Sequence, residues 1–246
     1  MGRGRRLRHD RDRTVLTQGM TDGVALALAG EALVARGSGA LWWPAAGTLT
    51  VADLHLGKSG RLARRGGALL PPYETQETLA RLDADIATLN PARVICLGDS
   101  FDDMLAGEEM DDGARLWLMR LAAGREWVWI AGNHDPGPLA VPGSHRAEWA
   151  EGALVFRHAA APVPPQGGEV SGHYHPKHGV AGRVRACFLL GGGRLILPAF
   201  GTYTGGLPAT DPVLVALTGP GALAVLTGPQ PIALPVLPHQ RRKGLR

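Results

Sequence analysis

Aspartate and histidine residues follow apolar segments of this 246-residue chain at a spacing that could bind metal ions. Asp53 and His55 end the segment VADLH, and His173 and His175 end SGHYH at the same i, i+2 spacing. Residues two positions apart on an extended chain point to the same side, so each pair could chelate one ion. The two pairs therefore predict metal ligands at the ends of two strands.

Two further segments carry polar residues of the same kind. ICLGD ends in Asp99, where Gly98 allows close approach of the backbone, and AGNHD ends in Asn133, His134 and Asp135. Carboxylate, imidazole and amide ligands without thiolate exclude a structural cysteine-type zinc site and suit Mn²⁺, Fe²⁺ or Zn²⁺ in an open catalytic site. Two such ions about 3.5–4 Å apart can bind a phosphate and activate water, so the pattern predicts phosphoester hydrolysis.

Each of these motifs alone has a structural explanation. A single Asp-x-His is usually a turn or an ion pair, Gly-Asp is common after strands, and His-x-His is often an exposed strand. Gly-Asn-His-Asp has no routine packing role. All four motifs in this order, each after an apolar segment, favour a catalytic site over chance.

The elements that must position these residues follow from the apolar pattern. Residues 23–56 alternate short apolar runs with Gly and Pro, which predicts strands joined by tight turns. One apolar helical face runs from Leu79 to Leu89, between Pro71-Pro72 and Asn90-Pro91, and a second helix is predicted for residues 112–123. ARVICLGD and EWVWIAGNHD are typical of buried strands in a parallel sheet.

The second half of the chain is rich in strand patterns. ALVFRH, GEVSGHYH, ACFLL with RLILPAF, and VLVALTGPGALAVLTG predict strands and hairpins. Helix–strand units followed by strands indicate an α/β protein in which two packed sheets are flanked by helices. Loops that follow the strands would then hold the polar residues.

Composition and charge indicate one domain with basic ends. We expect a domain at 21–238 and basic tails at 1–20 and 239–246, with Met20 as a second possible start. Each tail carries a net charge of +4, which leaves −4 for the body out of the total of +4. A continuous apolar stretch of membrane-spanning or secretory type is missing from the sequence. Cys96 and Cys187 lie in strand-like segments, which predicts buried thiols. Together these features predict a cytoplasmic location.

The motif series resembles that of the calcineurin-like metallophosphoesterase superfamily. The matching residues are DLH (53–55), GDSFD (98–102), GNHD (132–135), His158 and GHYH (172–175). The resemblance implies a four-layer α/β/β/α sandwich of two mixed β-sheets with two divalent metal ions. It implies seven metal ligands: Asp53, His55 and His175 for the first ion, Asn133, His158 and His173 for the second, and Asp99 between them.

The same resemblance implies that His134 contacts the phosphate and protonates the leaving oxygen, which suits the titration range of histidine. Asp102 or Asp135 would orient it, and the adjacent Asp103 is an alternative to Asp102. Arg157 stands where the superfamily usually has Gly before the fourth motif, so His145 is an alternative ligand to His158. We favour His158 because it follows the strand pattern ALVF.

A narrower resemblance covers about residues 50 to 206. ADLHLGKSGRLARRGG, LPPYET, ICLGDSF, SGHYHPK and LPAFGTYTGG are similar to the bacterial ligase-associated DNA-damage-response endonucleases, the PdeM group. This resemblance implies a Mn²⁺-dependent phosphodiesterase that acts on DNA alongside a DNA ligase and a helicase. Position 102 is more often His in that group, so Asp102 departs from its pattern.

Basic residues directly after the first motif suit a phosphodiester substrate. Lys58, Arg61, Arg64 and Arg65 could line the approach to the metals and bind phosphates without reading bases, or form a solvated basic loop. Tyr203 could stack on a base or support a hairpin.

Three functions compete on this sequence. The first is a DNA phosphodiesterase or endonuclease, which the basic segments favour. The second is a phosphoesterase for cyclic nucleotides or other small molecules, which the acidic body favours. The third is a non-catalytic scaffold, which the presence of His134 and of every ligand position disfavours.

Overall fold

The computed structural model describes residues 23–64, 66, 73–137, 141–180 and 182–237. The predicted tails at 1–20 and 239–246 therefore lie outside the described residues. The strands of the described part are β1 (Gly23–Leu28), β2 (Glu31–Arg36), β3 (Leu41–Trp43), β4 (Thr48–Val51), β5 (Arg93–Leu97), β6 (Glu126–Ile130), β7 (Ser144–Arg146), β8 (Glu148–Glu151), β9 (Leu154–Arg157), β10 (Gly168–Ser171), β11 (Lys177–Val180), β12 (Arg183–Gly191), β13 (Arg194–Ile196), β14 (Leu223–Leu226) and β15 (Ile232–Pro235). The helices are α1 (Lys58–Arg64), α2 (Glu74–Leu89), α3 (Met104–Glu108), α4 (Asp112–Ala122) and α5 (Pro212–Thr218).

The strands form two mixed sheets. In the first sheet, β1 to β7 lie in chain order, antiparallel from β1 to β4 and parallel from β4 to β7. In the second sheet the order is β15-β14-β12-β13-β10-β9-β8. Strand β11 pairs with the first half of β12. Strands β9, β10 and β13 are parallel, so the ends of β9 and β10 lie side by side.

Alternating side chains hold the layers together. Val94 and Cys96 of β5 face the helices α2 and α4, where Leu82 and Leu118 pack against them. The intervening β5 residues, Ile95 and Leu97, join the core between the two sheets. Because successive strand residues point to opposite faces, each central strand contributes to two cores.

The second sheet repeats this arrangement. Phe188 of β12 lies in the core between the sheets, while Cys187 and Leu189 pack with Leu214 of α5 on the outer face. The layers are therefore helices, sheet, sheet and helix, which confirms the predicted four-layer α/β/β/α sandwich of two mixed β-sheets. Both cysteines are buried and free, as predicted.

The predicted helices at 79–89 and 112–123 correspond to α2 and α4, and the strands ending in ICLGD and WVWI correspond to β5 and β6. The strand prediction for VLVALT was wrong, because this segment forms α5. Its N-terminus has a helix cap: Asp211 accepts a hydrogen bond from the amide of Val213, and Pro212 occupies the first turn. A short apolar run does not distinguish a buried helix from a strand by its periodicity.

Two short helices flank the predicted site and were not predicted. The basic stretch from Lys58 to Arg64 is α1 and not a loop, and α3 follows the second motif. The carboxylate of Asp103 caps α3 by accepting from the amide of Ala106. Within the described part of the chain, none of the helices is both long and apolar enough to cross a membrane.

Candidate metal centre

The predicted ligands lie in turns beyond the strand ends, and not on extended strands. Strand β4 ends at Val51, before Asp53 and His55, and β10 ends at Ser171, before His173 and His175. The expectation that an extended chain aligns each pair was therefore wrong. Five predicted ligands adopt a left-handed backbone with φ between 46° and 70°, which non-glycine residues rarely do: Asp53, His55, Asp99, His173 and His175.

Hydrogen bonds between the turns stabilise this uncommon backbone. The amide of Asp53 donates to the carbonyl of Gly98 at 3.2 Å, and the amide of His55 donates to that of Asp99 at 2.9 Å. The amides of His134 and His173 donate to the carboxylates of Asp99 and Asp53, both at 2.9 Å. Strained residues of this kind cluster at functional sites, where the surrounding structure maintains them.

The first ligand group contains Asp53, His55 and His175, whose ligand atoms lie within 4.8 Å of one another. Nε2 of His175 is 3.2 Å from Oδ1 of Asp53. These two atoms and Nε2 of His55 are buried and have no hydrogen-bond partner among the described residues. Leaving buried polar atoms unpaired is costly, so a cation bound between them would satisfy the group.

The second ligand group contains Asp99, His158 and His173, again within 4.8 Å. Nδ1 of His158 is 2.8 Å from the carbonyl of Leu97, which assigns the proton to Nδ1 and leaves Nε2 as the ligand atom. That Nε2 is 2.9 Å from Oδ1 of Asn133 and 3.1 Å from Nδ1 of His173. Two imidazole nitrogens bound to one ion at about 2.1 Å would show a similar separation.

The two groups are in contact with each other. Nδ1 of His158 lies 3.8 Å from Oδ1 of Asp53, and its Nε2 lies 3.4 Å from Oδ2 of Asp99. Burial acts to lower the pKa of His158, but Asp99 and Asp53 outweigh it and raise the pKa to about 9. Burial likewise acts to raise the pKa of Asp99, but His158 and the His134 amide hold it well below its usual range. The centre is therefore anionic and attracts cations.

Glycines permit close contacts between the loops that carry the ligands. A Cβ on Gly132 would lie 2.2 Å from the amide nitrogen of Asp99 and 2.5 Å from Oδ1 of Asp135. A Cβ on Gly98, where φ is +71°, would lie 2.6 Å from Nδ1 of His158. The glycines of the second and third motifs are thus required by packing around the ligands.

The third residue group that the structure brings together is His55, Asp102 and His134. Nδ1 of His134 is 2.8 Å from the backbone carbonyl of Asp102, so this carbonyl, and not a carboxylate, orients the ring. The Asp102 carboxylate lies 2.9 Å from Nδ1 of His55 and forms an ion pair with Arg61. Asp102 thus connects a predicted metal ligand to α1.

The carboxylate of Asp135 takes a different position from the predicted one. It accepts hydrogen bonds from the backbone amides of Asp99, Ser100, Phe101 and Gly132, with lengths from 2.8 to 3.2 Å. These bonds fix the loop after β5 and leave the orientation of His134 to Asp102.

His145, the alternative to His158, lies on β7 and is not part of any of the ligand groups formed by described residues. It lines a cavity of about 250 Å³ together with Arg146 and Asp135. Burial lowers the pKa of His145.

The predicted substrate-binding residues differ in their positions relative to the metal centre. Lys58 and Arg61 lie on α1, with Arg61 bound to Asp102; Arg64 ends α1, and Arg65 lies outside the described residues. Tyr203 is 45% exposed in the loop after Phe200. That loop contacts the metal centre, because the amide of Gly201 donates to the carbonyl of Asp53.

Sequence reasoning missed a buried ion pair behind His158. Arg194 of β13 lies 3.2 Å from Glu169 of β10, and both are almost fully buried. Glu169 also accepts from the amide of Ala161, and Arg194 donates to the carbonyl of the same residue. The pair fixes the loop that follows His158, and isolated charges in strand-like segments were its only sign in the sequence.

A known protein family matches the region of the chain that contains the site. The family described as Calcineurin-like phosphoesterase matches residues 48–203. The chain is similar to the Pseudomonas putida nuclease MPE, with a TM-score of 0.66 and 28% identity over 86% of this chain and 98% of that protein. A likeness to Yfce, a phosphoesterase from E. coli, is weaker, with a TM-score of 0.39 and 13% identity over 77% and 97% of the two chains. Among curated proteins, none matches the sequence significantly.

The matched region includes all seven predicted ligands, and the structure brings them together where the ends of both sheets meet. The match spans well over half of the 246 residues. The chain therefore belongs to the calcineurin-like phosphoesterase family, as the motif series predicted.

Proposed function

We propose that this protein is a two-metal phosphodiesterase that cleaves DNA. The observation that carries the proposal is the contact between two ligand groups with His134 beside them. The rings of His55 and His134 lie edge to face with centroids 5.3 Å apart, so the imidazole that could move a proton adjoins the first group.

The residues fit two divalent ions, for which Mn²⁺ is our first expectation and Fe²⁺ or Zn²⁺ the alternatives. Asp53, His55 and His175 would hold the first ion, and Asn133, His158 and His173 the second, with Asp99 between them. Two bound ions would supply Lewis acidity towards a phosphate and lower the pKa of water.

His134 is suited to deliver a proton to the leaving oxygen. Its Nδ1 faces the Asp102 carbonyl, which accepts hydrogen bonds only, so that nitrogen carries a proton in every state of the ring. The second nitrogen, Nε2, is then the atom that gains and loses a proton. General acid catalysis by a positioned side chain typically contributes about a hundredfold to ten-thousandfold to the rate.

The choice of DNA as the substrate is supported by the structural similarity to a protein named as a nuclease. It is also supported by the resemblance to the ligase-associated DNA-damage-response endonucleases. We therefore propose a role in bacterial DNA repair in the cytoplasm, alongside a DNA ligase and a helicase. The net charge of −4 on residues 21–238 favours the alternative, a phosphoesterase for small molecules.

The test is a hydrolysis assay of the Mn²⁺-loaded full chain with His134→Ala as the blank. The substrates are single-stranded DNA, duplex DNA, a 2′,3′-cyclic nucleotide and a phosphomonoester. We expect DNA cleavage by the wild type, and a loss of at least a hundredfold in His134→Ala with both metals still bound. His145→Ala is the matched control, because it removes the same side chain from outside the ligand groups.

The outcomes separate the alternatives. Turnover of only the small substrates would reject the nuclease proposal and keep the phosphoesterase. Full activity of His134→Ala at normal metal content would remove His134 from the mechanism.

A further inference from the structure

We propose that β11 (residues 177–180) and the first half of β12 (residues 183–186), which pair with each other, bind the phosphate backbone of DNA that leads into the metal centre. We name these residues the cationic hairpin. The proposal rests on the proposed function, because it assigns a contact surface to the same polymeric substrate. It concerns residues that neither the metal motifs nor the predicted basic stretch at 58–65 include.

The cationic hairpin begins directly beside the metal centre. Lys177 follows the predicted ligand His175 by two residues, and its amide donates to the carbonyl of Leu207 at 2.8 Å. Its Nζ donates to the carbonyl of Thr204 at 2.9 Å. The base of the hairpin is thereby fixed to the loop that carries Tyr203, so the hairpin has a defined position relative to the ligands.

The composition of the cationic hairpin is strongly one-sided. Its two segments, KHGV and RVRA, contain three cations and a histidine but no acidic residue. The body as a whole is acidic, with a net charge of −4 over residues 21–238. The hairpin thus differs in charge from the acidic body around it. An acidic nuclease needs such a cluster of cations to attract a polyanion.

The strand register places the two arginines on one face. His178 pairs directly with Arg185, so their side chains project on the same side. Arg183 shares that side because it lies two residues before Arg185 on the same strand. Arg183 is exposed, and Arg185 donates to the carbonyl of Gln230 at 3.3 Å. Across the described chain, no carboxylate forms an ion pair with either arginine.

A cavity adjoins this face of the hairpin. Gly228, which adjoins the guanidinium of Arg185, also lines a cavity of about 470 Å³ with Arg36 and Arg81. Arg81 donates to the carbonyl of Phe200, and the amide of Phe200 donates to the carbonyl of Ala52, next to Asp53. Asp85 forms an ion pair with Arg36 at 2.6 Å, whereas neither hairpin arginine pairs with a carboxylate among the described residues.

The dimensions suit a short run of nucleotides. The four residues of β11 extend about 13 Å at roughly 3.3 Å per residue. A DNA strand advances about 3.4 Å per nucleotide along a duplex, so the hairpin spans about four phosphates. Arginines on an exposed strand bind phosphates without reading bases, so we expect binding that is independent of sequence and sensitive to salt.

The test measures binding of a single-stranded oligonucleotide to the Mn²⁺-loaded His134→Ala protein, in which cleavage does not interfere. Arg183→Gln/Arg185→Gln is compared with Arg183→Lys/Arg185→Lys, which keeps the charge. Arg120→Gln on α4 removes an exposed arginine from the helices on the other sheet. We expect the glutamine pair to weaken binding about tenfold or more and to reduce the slope of log affinity against log salt by about 1.4.

The lysine pair should keep most of the affinity and the salt slope, and Arg120→Gln should change neither. With His134 restored, the glutamine pair should lower the ratio of DNA cleavage to turnover of bis(p-nitrophenyl) phosphate. Unfolding curves and metal content of each variant establish that the centre is intact.

The results distinguish this proposal from the proposed function. If the glutamine pair binds DNA with the same affinity and salt slope as the parent His134→Ala protein, the hairpin proposal is overturned, even if the wild type cleaves DNA. The absence of DNA binding by the parent protein would also overturn it. Binding that depends on the hairpin in a wild type that does not cleave DNA would support the hairpin and reject the nuclease.

Discussion

Asp102 illustrates how one buried side chain can determine the state of a metal ligand. Its carboxylate lies 2.9 Å from Nδ1 of His55 and is paired with Arg61 on α1. Burial acts to raise the pKa of Asp102, but His55 and Arg61 hold it below its ordinary value. An ionised carboxylate there favours a proton on Nδ1 of His55 and leaves Nε2 for the metal.

Replacing this carboxylate should therefore weaken metal binding before it alters anything else. We expect Asp102→Asn to lower the Mn²⁺ affinity roughly tenfold to a hundredfold, the usual effect of losing such a partner. Isothermal titration with Mn²⁺ measures it directly. Asp103→Asn is the matched control, because asparagine also caps helices well and should leave both α3 and the affinity intact. Unchanged affinity in Asp102→Asn would contradict this role.

The raised pKa of His158 gives a pH dependence with a definite sign. In the metal-free protein its pKa is raised to about 9 from the ordinary 6.5, because Asp99 and Asp53 outweigh its burial. A raised pKa stabilises the folded chain fully below about pH 6.5, and this stabilisation is lost as pH rises towards 9. The free energy of unfolding of the metal-free wild type should therefore fall over this window relative to His158→Gln. Parallel curves for the two proteins would exclude the effect.

At the scale of the element, the loop after β6 depends on a glycine that lies against the loop after β5. A Cβ on Gly132 would lie 2.2 Å from the amide nitrogen and 2.3 Å from Oδ1 of Asp99. Backbone atoms cannot move aside as side chains can, so we expect Gly132→Ala to lower the free energy of unfolding by about 3 kcal/mol. Denaturant unfolding tests this against Gly205→Ala, whose Cβ would meet nothing within 4 Å and should change stability by less than about 0.5 kcal/mol.

The sequence predicted those elements whose pattern is long or whose ends are marked. Helix α2 has a regular apolar face that ends at Asn90, and β5 and β6 are continuous apolar runs, so all three were found. Helix α5 was missed because seven apolar-rich residues fit either structure, although Asp211-Pro212 marked a helix start.

The candidate site was predictable to the level of residue types and their order. What the sequence did not contain was the left-handed backbone of five ligands, since that conformation depends on hydrogen bonds between loops far apart in the chain. The placement of Asp102 beside His55 and Arg61 depends on packing against α1, a helix that was itself not predicted.

At the scale of the whole molecule, the two sheets bring loops from opposite halves of the chain to one anionic centre. Asp53 and Asp99 follow strands of the first sheet, while His158 and His173 follow strands of the second. The fold therefore buries carboxylates whose mutual repulsion only bound cations can offset fully. Metal binding should link the two sheets and stabilise the whole domain.

Removal of metal should for this reason lower the unfolding temperature of the entire chain. Two sites, each with free metal at a hundred times its dissociation constant, would contribute about 5 kcal/mol together. For a domain of this size that corresponds to a difference of roughly 10–20 °C. Scanning calorimetry with Mn²⁺ and with EDTA measures this difference in unfolding temperature. The double variant Asp53→Asn/His158→Gln removes a ligand from each group and should reduce the difference to a few degrees. Equal unfolding temperatures for the wild type in both buffers would show that the two ligand groups do not bind metal tightly, because a cation held by side chains from both sheets must stabilise the folded state.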